Sequence, residues 1–316
     1  MLIGGYSGDK GQGSGITVLE DDQVVATIPA DSPSWLARHP DLPVVYGVAE
    51  LDNGRVHAWS LAADSPGADL GCGETGGSEP AHLIVDSSGR FLITANYTGG
   101  SVSVHRLAPD GSIGERTDLV QHERTGDLPR QAGAHPHMVR EQDGVLLVVD
   151  LGGDAVYRYE LTDDGKLNLL GIVDAPAGSG PRHVLPHGDR FYLTAELSGE
   201  VLVYSDGGQL LGRVPASTAT GPNQPSELAA SDRYLYVANR GPDSVAVFDL
   251  RGDDLPRYLT EVPAGTWPRH IALDGDLLYV ASERSNEVLR LRLDPATGIP
   301  ALEQSLPVPS PTIVLP

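Results

Sequence analysis

With one cysteine, Cys72, in 316 residues, the chain has no internal disulfide framework and no cysteine-based zinc site. Aromatic residues make up only 5%, and nowhere do apolar residues recur at i, i+3 and i+4 over a long stretch, so helix is expected to be scarce. No apolar run approaches the length of a membrane span. Met1-Leu2-Ile3-Gly4-Gly5-Tyr6 already reads as a strand, without the basic and long apolar segments of a signal peptide. Cations are also in short supply. The 22 Lys and Arg stand against 43 Asp and Glu, a formal charge of −21, which argues against non-specific binding to nucleic acid or to an anionic membrane. The expectation from these absences is a soluble cytoplasmic protein.

What the chain has in quantity is turn chemistry. Its 38 Gly and 25 Pro are spread along the whole length rather than massed in a linker, as short strands with tight connections require. The spacing is periodic. "SDRYLYVANRGPDSVAVFDL" (231–250) restates "SSGRFLITANYTGGSVSVHRL" (87–107), and "GDRFYLTAELSGEVLVY" (188–204) follows the same scheme. Each copy is an apolar strand, a Gly/Asn/Asp/Ser turn and a strand of alternating character, which is a hairpin signature. A proline introduces each unit: Pro33, Pro80, Pro136, Pro181, Pro225, Pro268 and Pro311. The last unit has a first strand and no hairpin, whereas "LIGGYSGDKGQGSGITVLE" (2–20) begins at the strand the tail lacks. This pattern predicts an all-β, single-domain fold over 1–316: a seven-bladed β-propeller of four-stranded blades, closed by pairing the C-terminal strand with the N-terminal ones.

In such a ring, equivalent positions meet around the channel. The residue closing each apolar strand is Tyr6, Glu50, Asn96, Asp150, Glu196, Asn239 or Ser282, and all seven are polar. Arg240 is the lone cation one place further on. The residue after each proline is Ser34, Ala81, His137, Arg182, Ser226, Arg269 or Thr312, followed by Trp35, His82, Met138, His183, Glu227, His270 or Ile313. Strand alternation predicts that only one of these two sets faces the channel in any blade. Blade by blade, His137 falls with Asp150, Arg182 with Glu196, and Asn239 with Arg240. An arginine fork suits carboxylate or phosphate, and a carboxylate beside an imidazole suits proton transfer. An ion-pair network at a channel wall would use the same residue types. The longest interval, Pro80 to Pro136, contains "HERTGDLPRQAGAHPHMV" (122–139), which reads equally as a lid or as decoration. His135 and His137 make a His-x-His pair without a third ligand, so no metal site is expected.

"PRQAGAHPHMV", "VVDLGGDAVYRYEL", "GSGPRHV", "LTAEL" and "VANRGPDSVAVF" together resemble the 6-phosphogluconolactonase/carboxymuconate-cyclase lactonase family of seven-bladed propellers, over essentially the whole chain. The resemblance implies a metal-independent enzyme without cofactor that opens or forms a lactone. It places the family's catalytic His, Arg, Glu and Arg on His137, Arg182, Glu196 and Arg240. The chain departs from the family in its trimmed outer turns, Glu-Leu-Ser-Gly-Glu after the Glu196 strand and "HVLPHGDRFY" among them, which bears on substrate more than on mechanism. The expected mechanism is general-base attack of water on a sugar lactone, 6-phosphogluconolactone first. Arg182 and Arg240 hold anionic groups and stabilise the oxyanion, His137 or Glu196 acts as base, and Asp150 orients His137. Arg130, His183 and Arg269 are secondary anion contacts, and His135, Asn239, Glu50 and Asn96 complete the substrate-binding set. The partner expected is a small anionic lactone or diacid, and the protein is expected to be a monomer. A lactonising cyclase would consume an open diacid instead. A non-catalytic binding propeller would tolerate Arg182→Ala and Glu196→Ala without loss.

Overall fold

The computed structural model describes residues 1–252 and 255–316. Over the described residues the strands pair into seven antiparallel sheets of four. The helical content there is two three-residue 3₁₀ turns, Gly8–Lys10 and Pro129–Gln131, so the expected scarcity of helix holds. By internal contacts the chain forms two units, Met1–Thr27 with Pro181–Pro316, and Ile28–Gly180.

Within a sheet, the second strand is buried along almost its whole length. Phe91–Asn96 and Val44–Ala49 have no exposed residue, as their continuous apolar sequences FLITAN and VVYGVA require. The fourth strand is an edge and carries charge outward, as Ile113–Gln121 does with Glu115, Arg116 and Asp118. The core lies between neighbouring sheets rather than in one centre. In the first unit Tyr192, Val201 and Val203 pack on Leu235, Val237 and Phe248 of the next sheet. In the second, Phe91, Ile93 and Val104 pack on Val139, Val148 and Tyr157. Two tyrosines at the same place in their strands fasten two further seams: Tyr236 Oη donates to Gly298 O at 2.9 Å, and Tyr46 Oη to Gly111 O at 2.7 Å. Burial pushes the Tyr236 hydroxyl up to about 12, so it remains a donor. Pro311–Leu315 pairs antiparallel with Leu2–Gly5, Leu2 opposite Leu315 and Ile3 opposite Val314, as the missing hairpin implied.

The repeat prolines have a structural meaning that alternation alone did not reveal. Pro80, Pro136, Pro181, Pro268 and Pro311 are each the first residue of a sheet's first strand, where the missing N–H costs no ladder bond. Immediately after the proline the register slips. Pro136 faces Asp150 but Met138 faces Val149; Pro268 faces Ser282 but His270 faces Ala281; Pro181 faces Ala195 but Val184 faces Leu193. The same bulge of one extra residue follows Pro80 and Pro225, and Gly4 and Gly5 of the closing sheet face Ile313 and Pro311. Six sheets thus bulge where the sequence places Ala81, His137, Arg182, Ser226, Arg269 and Thr312. A bulge breaks the period of two and re-aims the side chains on it, so strict alternation does not hold there and two adjacent side chains can both turn to polar partners. Arg182 and His183 both do, as described below. The residue before the proline is also constrained: Ser32, Glu79, Gly180, Trp267 and Ser310 all have φ between +42° and +61°.

Replacing Tyr236 or Tyr46 by Phe leaves a buried carbonyl without its donor and is expected to cost about 1–3 kcal/mol in urea unfolding. Unchanged midpoints would show that the seam bonds contribute nothing.

Candidate active site

In the first unit, three of the four residues placed in catalysis meet. Glu196 follows directly on Arg190–Ala195, Arg182 sits on the bulge after Pro181, and Arg240 ends Tyr234–Arg240. Arg240 Nη2 donates to Glu196 Oε2 at 2.6 Å, and Arg182 Nε lies 3.1 Å from the same oxygen, although its N–H is not aimed at an acceptor. Backbone carbonyls hold the two forks: Arg182 Nη1 donates to Ser226 O at 2.5 Å and Arg240 Nε to Gln224 O at 3.0 Å. All three side chains are at most 5% exposed. Removing charges from water costs several kcal/mol per ion, so they persist here only through one another. The trio carries one positive charge in excess. Burial and the neighbouring Arg240 push the Arg182 guanidinium below its usual range, with Glu196 opposing.

Beside the trio lies a second buried carboxylate that the sequence reading passed over. Glu227 Oε2 is 2.8 Å from His183 Nδ1 and 3.6 Å from His270 Nε2, and its Oε1 accepts the Leu228 N–H at 3.0 Å. Burial, then Arg182, Arg240 and Arg269, press the His183 imidazole well below the usual range; burial takes His270 to about 4 against the pull of Glu227. Both rings are therefore neutral near pH 7. The Val314 N–H points at His270 Nδ1 at 3.4 Å, which puts the His270 proton on Nε2, facing Glu227. His183, expected as an anion contact, has its Nδ1 committed to Glu227. Glu227 stood in plain view one place after the Ser226 slot, but alternation argued against reading both positions.

Arg269 bonds the Tyr6 hydroxyl, lies 4.9 Å from the centre of that ring and 3.5 Å from Glu283 Oε2, so its fork is largely occupied. Asn239 is fully buried, and its amide joins Ala216 O at 2.9 Å and Asn223 Nδ2 at 2.9 Å. Its amide is thus engaged within the fold by Ala216 and Asn223. Asn96 in the second unit is likewise fully buried, with Nδ2 on Ser101 Oγ at 3.1 Å, and Glu50 is half-buried at the end of its strand.

In the second unit, three candidates gather on one ring that was not singled out from the sequence. His135 stacks on Tyr97 at 4.6 Å, His137 meets it edge-on at 5.4 Å, and Arg130 Nη2 donates to its hydroxyl at 3.0 Å. Asp150 does not hydrogen-bond His137, contrary to expectation, because the bulge at His137 removes that residue from the register opposite it. Its Oδ2 meets His122 Nδ1 at 2.8 Å, while Oδ1 accepts the N–H of His135 at 2.8 Å and of Gly153 at 3.0 Å. His122 in turn reaches the Tyr159 hydroxyl at 3.0 Å and stacks on Tyr157 at 3.7 Å. One carboxylate thus fastens both ends of the 122–135 insertion. The middle is tied by Gln131 Nε2 to Leu151 O at 3.0 Å, and Gly152 approaches Gly133 so closely that a Cβ would stand 1.9 Å from its carbonyl oxygen. The insertion is a pinned loop. The only sequence signal for His122 was its place at the head of that insertion.

The family described as "Lactonase, 7-bladed beta-propeller" matches residues 1–316. The chain belongs to this lactonase family. It is 29% identical to the 6-phosphogluconolactonase of Bacillus subtilis (strain 168), over 90% of this chain and 86% of that protein. It is 31% identical to an uncharacterised protein of Lactococcus lactis subsp. cremoris, over 100% and 98%. Among solved structures, the periplasmic gluconolactonase of Pseudomonas aeruginosa superposes with a TM-score of 0.91 at 27% identity, covering 99% of this chain and 97% of that one. The seven four-stranded sheets of this lactonase are the blades of its propeller.

Two outcomes test these networks. Asp150→Ala is expected to release the 122–135 loop, so that trypsin cuts at Arg124 and Arg130 under conditions that leave the wild type intact; equal resistance would contradict the clamp. His270 is held below the 6.5 of a free imidazole, so the unfolded chain takes up its proton first. Its contribution is complete above pH 6.5 and is lost as pH falls to about 4, on the order of 3 kcal/mol. His270→Gln should flatten the pH dependence of unfolding in that window by up to one proton, and an unaltered slope would contradict a buried neutral ring.

Proposed function

We propose that this lactonase hydrolyses a sugar lactone, with 6-phosphogluconolactone as its first substrate, without a metal or cofactor. The observation that carries the reading is the pair of buried guanidinium groups, Arg182 and Arg240, converging on the single Glu196 carboxylate. Water adds to the lactone carbonyl carbon and passes a proton to Glu196. The carbonyl oxygen takes up the electron pair as an oxyanion beside the two arginines, whose excess positive charge opposes the charge being formed. The ring C–O bond then breaks, the ring oxygen recovers the proton as an alcohol, and a hydroxy acid leaves. A carboxylate held by cations is a weak base, and a lactone that already reacts with water needs little more. The names of the Bacillus subtilis relative and of the Pseudomonas aeruginosa structure support the substrate class. His137 has its catalytic assignment from the family resemblance, and the experiment below tests it separately.

The test is hydrolysis of freshly generated 6-phosphogluconolactone followed at constant pH with EDTA present. Glu196→Gln and Arg240→Lys keep the volume of the buried cluster and are expected to lower kcat/KM by about 10²–10⁴-fold and 10²–10³-fold respectively, with the fold intact by circular dichroism. His137→Gln is run beside them, and a comparable fall would assign it a place in the reaction. Wild-type rates no faster than the spontaneous reaction would remove this substrate, and activity that survives Glu196→Gln would remove this mechanism.

A further inference from the structure

Trp267 is the residue least suited to its place. It precedes Pro268 with φ +61°, in the slot where three other blades use Ser32, Gly180 and Ser310. A bulky side chain in the left-handed region is strained, and glycine or serine would serve the backbone better. The Trp267 backbone N–H is nevertheless held on Asp243 Oδ1 at 2.9 Å, and two guanidinium groups lie over the indole. The Arg240 carbon is 5.4 Å from the ring centre and the Arg284 carbon 3.6 Å. Arg240 belongs to the Glu196 cluster. Arg284 is exposed, and among the described residues its side chain has no ion pair or hydrogen bond; the indole is its contact. Arg284 is also well fixed. The Glu283 and Arg284 N–H groups donate to Trp267 O and Thr266 O at 3.2 and 3.1 Å, and the Thr266 N–H donates to Ser285 Oγ at 2.9 Å.

We propose that Trp267 and Arg284 form an anion-recognition subsite beside Arg240, taking a phosphate or carboxylate substituent of a substrate whose lactone carbonyl lies at Arg240 and Arg182. The face of the Arg284 guanidinium rests on the indole, and its N–H edges stay available for two parallel bonds to an anionic oxygen pair. The two guanidinium carbons can be no further apart than the sum of their distances to the shared ring centre, so the two ends of one six-carbon sugar acid can reach both. Trp267 is a positioning residue: it orients both forks without touching the reacting atoms. The proposal rests on the lactonase reading of the Glu196 cluster and adds to it how the substrate is selected.

The experiment compares 6-phosphogluconolactone, glucarolactone and gluconolactone, which carry a phosphate, a carboxylate and no remote charge, in wild type, Arg284→Gln, Trp267→Gly and Trp267→Tyr. The wild type is expected to prefer one of the two anionic lactones over gluconolactone by at least ten-fold in kcat/KM, and the preferred one identifies the group. Arg284→Gln should lose at least ten-fold of that preference through KM, and Trp267→Tyr should retain it. Trp267→Gly should lose it while its thermal midpoint stays at or above the wild-type value, because glycine relieves the backbone. Absence of preference in the wild type, equal losses on charged and uncharged lactones, or a Trp267→Gly defect that follows a lowered midpoint would each overturn the subsite. Calorimetric binding of 6-phosphogluconate against gluconate separates the two readings. If no lactone is hydrolysed but wild type favours the phosphorylated acid and Arg284→Gln does not, the subsite stands and the reaction falls. If neither protein discriminates, the subsite falls.

Discussion

One extra residue after the repeat proline governs how this propeller presents its chemistry. A first strand in strict alternation would turn one of two neighbouring side chains into the packed face between blades and leave a single polar position per blade. The bulge removes that restriction. It is why Arg182 reaches Glu196 while the adjacent His183 reaches Glu227, and why Arg269 meets Tyr6 while the adjacent His270 meets Glu227. The proline sets the bulge by starting the strand where no amide donor is needed, and the left-handed residue before it turns the chain into place. The architecture thus offers the same slot in six blades and fills it with Ala, Ser or Thr in three and with His137, Arg182 and Arg269 in the others.

Where charge is used, it is assembled as linked pairs. Arg182 and Arg240 share one oxygen of Glu196, and Glu227 is bounded by two imidazoles that burial keeps neutral. Neutral histidines let Glu227 remain an acceptor without adding cations to a place already rich in them. The excess positive charge at Arg182 and Arg240 is left facing Glu196. That imbalance costs stability in the resting protein and becomes favourable when an oxyanion forms beside it. The exposed Arg284 on Trp267 continues the same polarity toward solvent in a protein that is otherwise strongly acidic.

Much of this was legible in the chain. Proline spacing and the split last blade gave seven units and their closure, because radial repetition imposes a period that composition cannot hide. Aligning the strand ends brought out Glu196 and Arg240, and aligning the residues after each proline brought out Arg182. The rest depends on register and packing. Reading Asp150 as the partner of His137 assumed an unbroken register, and the bulge at His137 left Asp150 to His122, a residue from a loop whose path no periodicity describes. Asn239 looked like a channel residue because it is polar at a strand end, yet its amide closes a seam with Ala216 and Asn223. Trp267 was not singled out, since a φ of +61° and contact with two arginines are visible only in three dimensions.

The most direct test of the central claim, that the Arg182–Glu196–Arg240 cluster is where the lactone carbonyl reacts, is a crystal structure with the hydroxy-acid product bound. The account predicts the product carboxylate within hydrogen-bond distance of both guanidinium groups. A product carboxylate bound away from them, with the Glu196 cluster undisturbed, would contradict it.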